Sequence, residues 1–116
     1  MKHEEAVKAL GSLAQATRLA IYRLLVKRGP EGYVPGDLAD KLEIPAPTLS
    51  FHLKELQQAR LISVRREGRF LFYSANFPEM HDLVAYLSEN CCSLAADACA
   101  PDCKPIAAVS LRRKRA

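Results

Sequence analysis

The sequence is as informative for what it lacks as for what it holds. Tryptophan is absent, and seven prolines with five glycines punctuate 116 residues, which predicts one compact domain with several sharp breaks. No apolar run approaches the roughly 18 to 20 residues of a membrane span. The opening MKHEEAVKAL mixes charges and holds no apolar stretch of signal-peptide type. The expectation is a cytoplasmic protein, without a membrane partner, whose thiols are mostly reduced. A real surplus of charge is missing too. The formal charge of +4 is matched by the four cations Arg112, Arg113, Lys114 and Arg115, so the rest of the chain sums to zero. Net charge therefore argues little for nucleic acid, and local patterning must carry that case. No internal repeat is present.

Helical spacing is what the chain does have. Ala6, Val7, Leu10, Leu13 and Ala14 form one apolar stripe over residues 3 to 14. A second helix is predicted from about Thr17 to Arg28, with Ile21, Leu24 and Leu25 inward and Gly29-Pro30 ending it. Residues 31 to 36 read as a loop, and a short helix follows from Asp37 to Leu42. After Pro45-Ala46-Pro47 a longer helix spans about Pro47 to Ala59, with proline tolerated in its first turn. Two such helices joined by a tight connection match a helix-turn-helix. Ile62 and Val64, then Phe70 and Phe72, alternate on either side of Glu67-Gly68, which reads as a β-hairpin placed where a wing belongs. Asn76 and Glu79 suggest a capping box for a last helix. Its stripe is Met80, Leu83, Val84 and Leu87, continuing into Cys91. The fold class expected is mainly α with a β-hairpin wing, a winged helix-turn-helix.

In the helix 47 to 59, Leu49, Leu53 and Leu56 lie at i, i+4 and i+7 and should face the core. A recognition helix presents its first turns to base edges in the major groove. Ala46, Thr48, Ser50 and Phe51 are thereby the candidates for base or sugar contacts, and Phe51 suits a thymine methyl. The competing reading of Phe51 is a ring folded back on its own domain. Lys54 and His52 suit phosphates better than bases, and His52 has a second open reading as a structural hydrogen-bonding residue. In the hairpin, Arg65, Arg66 and Arg69 can set cations against the backbone or in the minor groove.

At these residues the sequence resembles the ArsR/SmtB family of metal-responsive repressors. The matching stretches are Leu10-Gly11, Thr17-Arg18-Leu19, Asp37-Leu38-Ala39 and Pro47-Thr48-Leu49-Ser50-Phe51-His52-Leu53-Lys54-Glu55-Leu56, with Arg65-Arg66-Glu67-Gly68-Arg69 and Tyr73 in the wing. The resemblance covers about residues 6 to 92. It implies a homodimer joined through the first and last helices, a partly palindromic double-stranded operator, and release of DNA on inducer binding. The sequence departs from the family pattern in two places. Where the familiar arsenic site has Cys-Val-Cys, this chain has Val34, Pro35 and Gly36; for the zinc site of the last helix it offers only the adjacent His81 and Asp82. His81 reads better as a surface or interface residue than as a ligand.

All four cysteines lie between 91 and 103, as Cys91, Cys92, Cys99 and Cys103. Such clustering in a reducing compartment favours soft-ion chemistry over structural disulfides. Trivalent arsenic or antimony takes three thiolates, and Cys91, Cys92 and Cys99 would suffice, with Cys103 as an alternative or spare. A methylated trivalent arsenical needs two. Structural zinc would use all four, but the spacing is not the usual paired arrangement. Some members of the resembled family carry a cysteine pair at the end of the last helix as an arsenic site. The expected function is a repressor of an arsenical-resistance operon, with arsenite, antimonite or an organic arsenical as inducer and no catalytic cofactor. Thiol-redox sensing and Cd/Zn sensing by the same DNA-binding domain are the alternatives. An enzyme is not expected, since no partner His or oxyanion motif accompanies the cysteines in sequence. The division expected is 1–92 for DNA binding and dimerisation and 93–116 for a cysteine-containing segment with a basic tail.

Overall fold

A computed structural model of the chain describes residues 1–95. Its order is α1 (His3–Leu13), α2 (Ala16–Arg28), α3 (Pro35–Leu42), α4 (Ala46–Gln58), β1 (Ile62–Glu67), β2 (Phe70–Ala75) and α5 (Phe77–Ser88). This is the winged helix-turn-helix that the patterning predicts. Among the described residues no helix is long and apolar enough to cross a membrane.

The helices begin and end where local chemistry tells them to. Gln15 caps α2, its side-chain oxygen accepting from the Arg18 N–H at 2.8 Å. Gly29, at φ 87°, closes that helix, in a conformation that costs glycine little. α3 starts at Pro35, two residues before the expected Asp37, because Pro35 is itself a good first helical residue. It ends on Glu43 in the left-handed region, and three residues later α4 begins.

The end of α4 was harder to read in sequence. Arg60 takes φ 64°, its N–H donates to the Gln57 carbonyl, and the Leu61 N–H reaches back to the Leu56 carbonyl. That pair of bonds is a Schellman closure, and it works here without glycine. Leu56 and Leu61, both fully buried, supply the apolar contact that goes with it.

The hairpin pairs Ile62 with Ala75 through Glu67 with Phe70. Its loop is therefore Gly68-Arg69, one residue later than Glu67-Gly68, with Gly68 at φ 64°. Only the base of the wing is buried, at Ile62 and Ala75. A third partner adjoins β2 where the sequence suggested only loop. Tyr33 and Tyr73 exchange two backbone hydrogen bonds, at 2.9 and 2.8 Å.

Ile21, Leu25, Leu38, Leu49, Leu56 and Leu61 form the fully buried centre. Each contributes roughly 1.5–3 kcal/mol of transfer free energy, so the core is aliphatic and drawn from α2, α3, α4 and the start of the wing. α1 is the exception to its predicted pattern. It buries Ala6, Ala9 and Ser12, whereas Val7 is 56% exposed and Leu10 41% exposed. Small residues let α1 lie close to its neighbours, while Val7 and Leu10 look outward and Leu13 packs partly against the core.

At α5 the Asn76 side chain accepts from the Glu79 N–H, but the box is not completed. The Asn76 N–H is already given to the Leu61 carbonyl at 2.8 Å, which leaves nothing for Glu79 to cap. The helix also stops at Ser88, short of Cys91. Glu89 is extended, and Asn90 and Cys92 have positive φ. Cys91 is thus carried on a turn and does not extend the apolar stripe of α5. The Ser88 hydroxyl bonds the Val84 carbonyl at 3.0 Å, occupying an acceptor in the last turn.

Candidate nucleic-acid interface and cysteine pair

Leu49, Leu53 and Leu56 turn inward from α4, as their spacing requires, and His52 joins them. The opposite side carries Ala46, Thr48, Ser50, Phe51 and Lys54, all exposed. Phe51 does not fold back into the core; it is 57% exposed, and its ring meets the His52 ring edge-on at 5.5 Å. An apolar ring beside two hydroxyls and an ammonium on the outer face of the second helix is a surface suited to base edges and sugars.

Of the two readings of His52, the geometry favours the structural one. The side chain is buried, and its Nδ1 lies 3.2 Å from Arg18 Nη1. A guanidinium only donates, so Nδ1 accepts and the ring proton belongs on Nε2. Burial, then the Arg18 charge, pull the imidazole pKa below its usual value, while Glu55 opposes them. A neutral, buried ring is poorly disposed toward a phosphate.

The three wing arginines separate in the same way. Successive residues of a strand point to opposite faces, so Arg65 and Arg66 cannot act together. Arg65 crosses the Phe72 ring at 4.8 Å and donates to the Pro30 and Glu31 carbonyls at 3.1 and 3.0 Å. It also pairs with Glu67 at 2.6 Å. This residue straps the wing to the loop after α2. Arg66 and Arg69 are exposed and make no ion pair among the described residues, which leaves them available to a polyanion. Sequence reasoning had no means of finding the strap, because its acceptors are backbone carbonyls more than thirty residues away.

Beyond α5, Cys91 and Cys92 are both exposed, with their sulfurs 3.7 Å apart. The hydrogen bond with Cys92, then slight desolvation and the neighbouring thiol's charge, raise the Cys91 pKa. An ion with bonds to sulfur near 2.3 Å and angles of roughly 90–110° spans sulfurs about 3.3–3.8 Å apart. The pair therefore fits two positions on one thiophilic centre. Cys99 and Cys103, the expected third and spare donors, lie outside the described residues, as does the basic tail. Among the described residues no group of three His, Cys, Asp or Glu side chains is placed to hold a metal.

Comparison with known proteins agrees with this architecture. A helix-turn-helix domain model matches residues 13–65. The chain is 35% identical over 91 residues to the arsenical resistance operon repressor of Bacillus subtilis, covering 78% of this chain and 80% of that protein. The chain belongs to the ArsR family of transcriptional regulators. Among solved structures, an ArsR-like transcriptional regulator from Rhodococcus sp. RHA1 superposes with a TM-score of 0.68 at 22% identity, over 97% of this chain and 89% of that one. The homodimeric winged helix-turn-helix DNA-binding domain of a possible ArsR-family regulator from Mycobacterium bovis gives 0.59 at 20% identity, over 83% and 89%. Both likenesses concern the fold. Members of the ArsR family are DNA-binding regulators and not enzymes. Within this ArsR-family chain, the start of α3 carries Val34, Pro35 and Gly36 with no thiol, and His81 and Asp82 stand side by side, exposed, on α5.

Proposed function

We propose that the protein is a homodimeric repressor that leaves its operator when trivalent arsenic or antimony binds the C-terminal cysteines. Of the observations supporting this, the one that carries it is the Cys91–Cys92 sulfur pair, exposed just beyond α5 at a separation one thiophilic ion spans. Cys99 completes a three-thiolate site in this reading, Cys103 is a spare, and residues 93–116 form a sensing segment appended to the DNA-binding domain of 1–92. The relative that represses an arsenical resistance operon supports the choice of ligand.

DNA is read by Thr48, Ser50 and Phe51 at the start of α4, with Lys54, Arg66 and Arg69 on phosphates. In a dimer the two copies of α4 would sit about 34 Å apart, in successive major grooves. The outward apolar side chains support a seam through the first and last helices: Val7 and Leu10 on α1, and Leu87, 61% exposed, on α5. Beside them an open groove of about 380 Å³ runs between α2 and α5, lined by Leu13, Leu19, Tyr22, Val26, Met80 and Leu83 among others. Metalloid thiolation next to α5 would act on this seam. Release of DNA then requires only a difference in affinity, typically about 1–3 kcal/mol of coupling.

Fluorescence anisotropy on a duplex from upstream of the protein's own gene tests the reading. Arsenite should weaken binding roughly 5–150-fold, the effect should vanish in C91S and C92S and shrink in C99S, and C103S should respond nearly as the parent does. Unchanged affinity with arsenite verifiably bound would refute it. Release by a thiol oxidant, reversed by dithiothreitol, with no response to arsenite would replace it with redox sensing.

A further inference from the structure

The recognition helix is tied to α1 by a polar contact that the proposed function does not yet use. Arg18, in the first turn of α2, extends its guanidinium two ways. Nε donates to the Ser12 carbonyl at 2.7 Å, and Nη1 meets His52 Nδ1 at 3.2 Å. The Ser12 carbonyl belongs to the last turn of α1, where helix carbonyls lack intrahelical donors. Ser12 is itself buried, its hydroxyl bonded to the Ala9 carbonyl at 3.0 Å. The fork is planar and its donors are fixed relative to one another, so a rigid bridge runs from the end of α1 to α4. At its far end the His52 ring meets the Phe51 ring, and Phe51 is the large exposed apolar side chain of α4.

We propose that Arg18 and His52 are positioning residues that set how α4 presents Phe51 to DNA, with the neutral imidazole as the competent state. The inference rests on the DNA-reading role given to α4 above. Arg18 holds His52, and His52 backs Phe51. The bridge works only while Nδ1 is an acceptor. A proton on that nitrogen turns donor against donor, with two cations about 3 Å apart. The charged groups acting on the ring are Arg18 from α2 and Glu55 from α4 itself. The first disfavours protonation, the second favours it, and burial adds to the first. The neutral ring therefore persists through neutral pH, and the bridge opens as the medium becomes acidic.

The test uses the full chain and the duplex from upstream of its own gene, with anisotropy measured from pH 7.5 to 5.5. Wild type should lose severalfold more affinity across that range than H52Q, which keeps an acceptor for Arg18 but does not titrate. At pH 7.5, H52Q should bind within about threefold of wild type, while H52A and R18K weaken binding about tenfold, the scale of one lost charge-assisted hydrogen bond. Superimposable pH profiles for wild type and H52Q would overturn the proposal. A second measurement on the protein alone, long-range 1H–15N correlation of the imidazoles, needs neither DNA nor the alanine variant to fold. His52 should show the Nε2–H tautomer and titrate below the ordinary imidazole value; titration at or above that value overturns the bridge. If wild type fails to bind the duplex while His52 behaves as described, it is the DNA-reading assignment that fails, and the bridge stands as a contact within the fold.

Discussion

Replacing Gly32 with alanine should damage this protein more than replacing any other glycine among the described residues, and the reason is local. Gly32 has φ 76°, and a Cβ built there would sit 2.5 Å from the Tyr73 carbonyl oxygen and 3.1 Å from its carbon. Both are backbone atoms of β2, so no side chain can swing aside. The carbonyl in question accepts the Tyr33 N–H, and the Tyr33 carbonyl accepts the Tyr73 N–H in return. Left-handed backbone costs a residue with a Cβ about 1–2 kcal/mol. Loss of the two hydrogen bonds adds about 0.5–1.5 kcal/mol each. The expected destabilisation is about 3 kcal/mol, or a fall of roughly 10–20 °C in Tm for a domain of this size. Two controls separate the causes. Gly68, at φ 64° with open space around its Cβ position, should cost only the strain, about 1 kcal/mol. Gly36 has neither positive φ nor a neighbour within 4 Å, and alanine there should be neutral or stabilising by up to about 1 kcal/mol. Thermal melts by circular dichroism give all three values. A Gly32→Ala protein that melts with Gly68→Ala would show that β2 yields readily and that the close approach constrains nothing.

Three further outcomes can be checked on the same protein. The Tyr22 hydroxyl is buried without a hydrogen-bond partner among the described residues, so Tyr22→Phe should be neutral or stabilise by about 1 kcal/mol in urea unfolding. Burial, then the Glu79 charge, push this phenol up to about 12 from an ordinary value of 10; its raised pKa gives stability that is complete below pH 10 and lost as pH climbs through 12, up to about 2–3 kcal/mol. The Phe variant should lack that loss, and equal alkaline losses in both proteins would contradict it. Leu38→Ala removes a fully buried side chain of α3 and should cost about 2–5 kcal/mol in the same assay; a cost under 1 kcal/mol would mean the core collapses around the deletion. Arg69→Met should reduce the salt dependence of DNA binding by about one phosphate contact. Arg65→Met should leave that slope unchanged while raising amide exchange in the hairpin, and the reverse pattern would exchange their roles.

Periodicity found all five helices and the hairpin, because a 3.6-residue stripe and a two-residue alternation are both written locally. It located the exposed face of α4, proposed to read DNA, for the same reason: Leu49, Leu53 and Leu56 must share one side, which leaves Thr48, Ser50 and Phe51 on another. What sequence reasoning missed depends on distant backbone. The Arg65 strap ends on the carbonyls of Pro30 and Glu31, and the Tyr33 bridge needs β2 beside it; no spacing encodes either. Arg60 as a left-handed helix terminator went unseen because the expected residue there is glycine. The outward turn of Val7 and Leu10 has another origin. A stripe says which residues lie together on α1, and the burial of small Ala6 and Ala9 decides which side meets the core. His52 illustrates the remaining gap, since a histidine at the edge of an apolar face is read by its partner, and that partner is Arg18, thirty-four positions earlier.

Asn76 gives the molecule a mechanical property that its element list conceals. Its side-chain amide donates to the Arg60 carbonyl at 2.9 Å, its own N–H donates to the Leu61 carbonyl at 2.8 Å, and its side-chain oxygen caps α5. One residue thus clamps the exit of α4, the root of the wing and the entrance of α5. Torque applied along α5 would reach α4 and the wing together, so in the proposed repressor the two would turn as a unit and lose register in both grooves at once. With arsenite as the proposed inducer, Asn76→Ala should act as a slipped clutch: the ligand would bind as before, and the DNA would feel less of it.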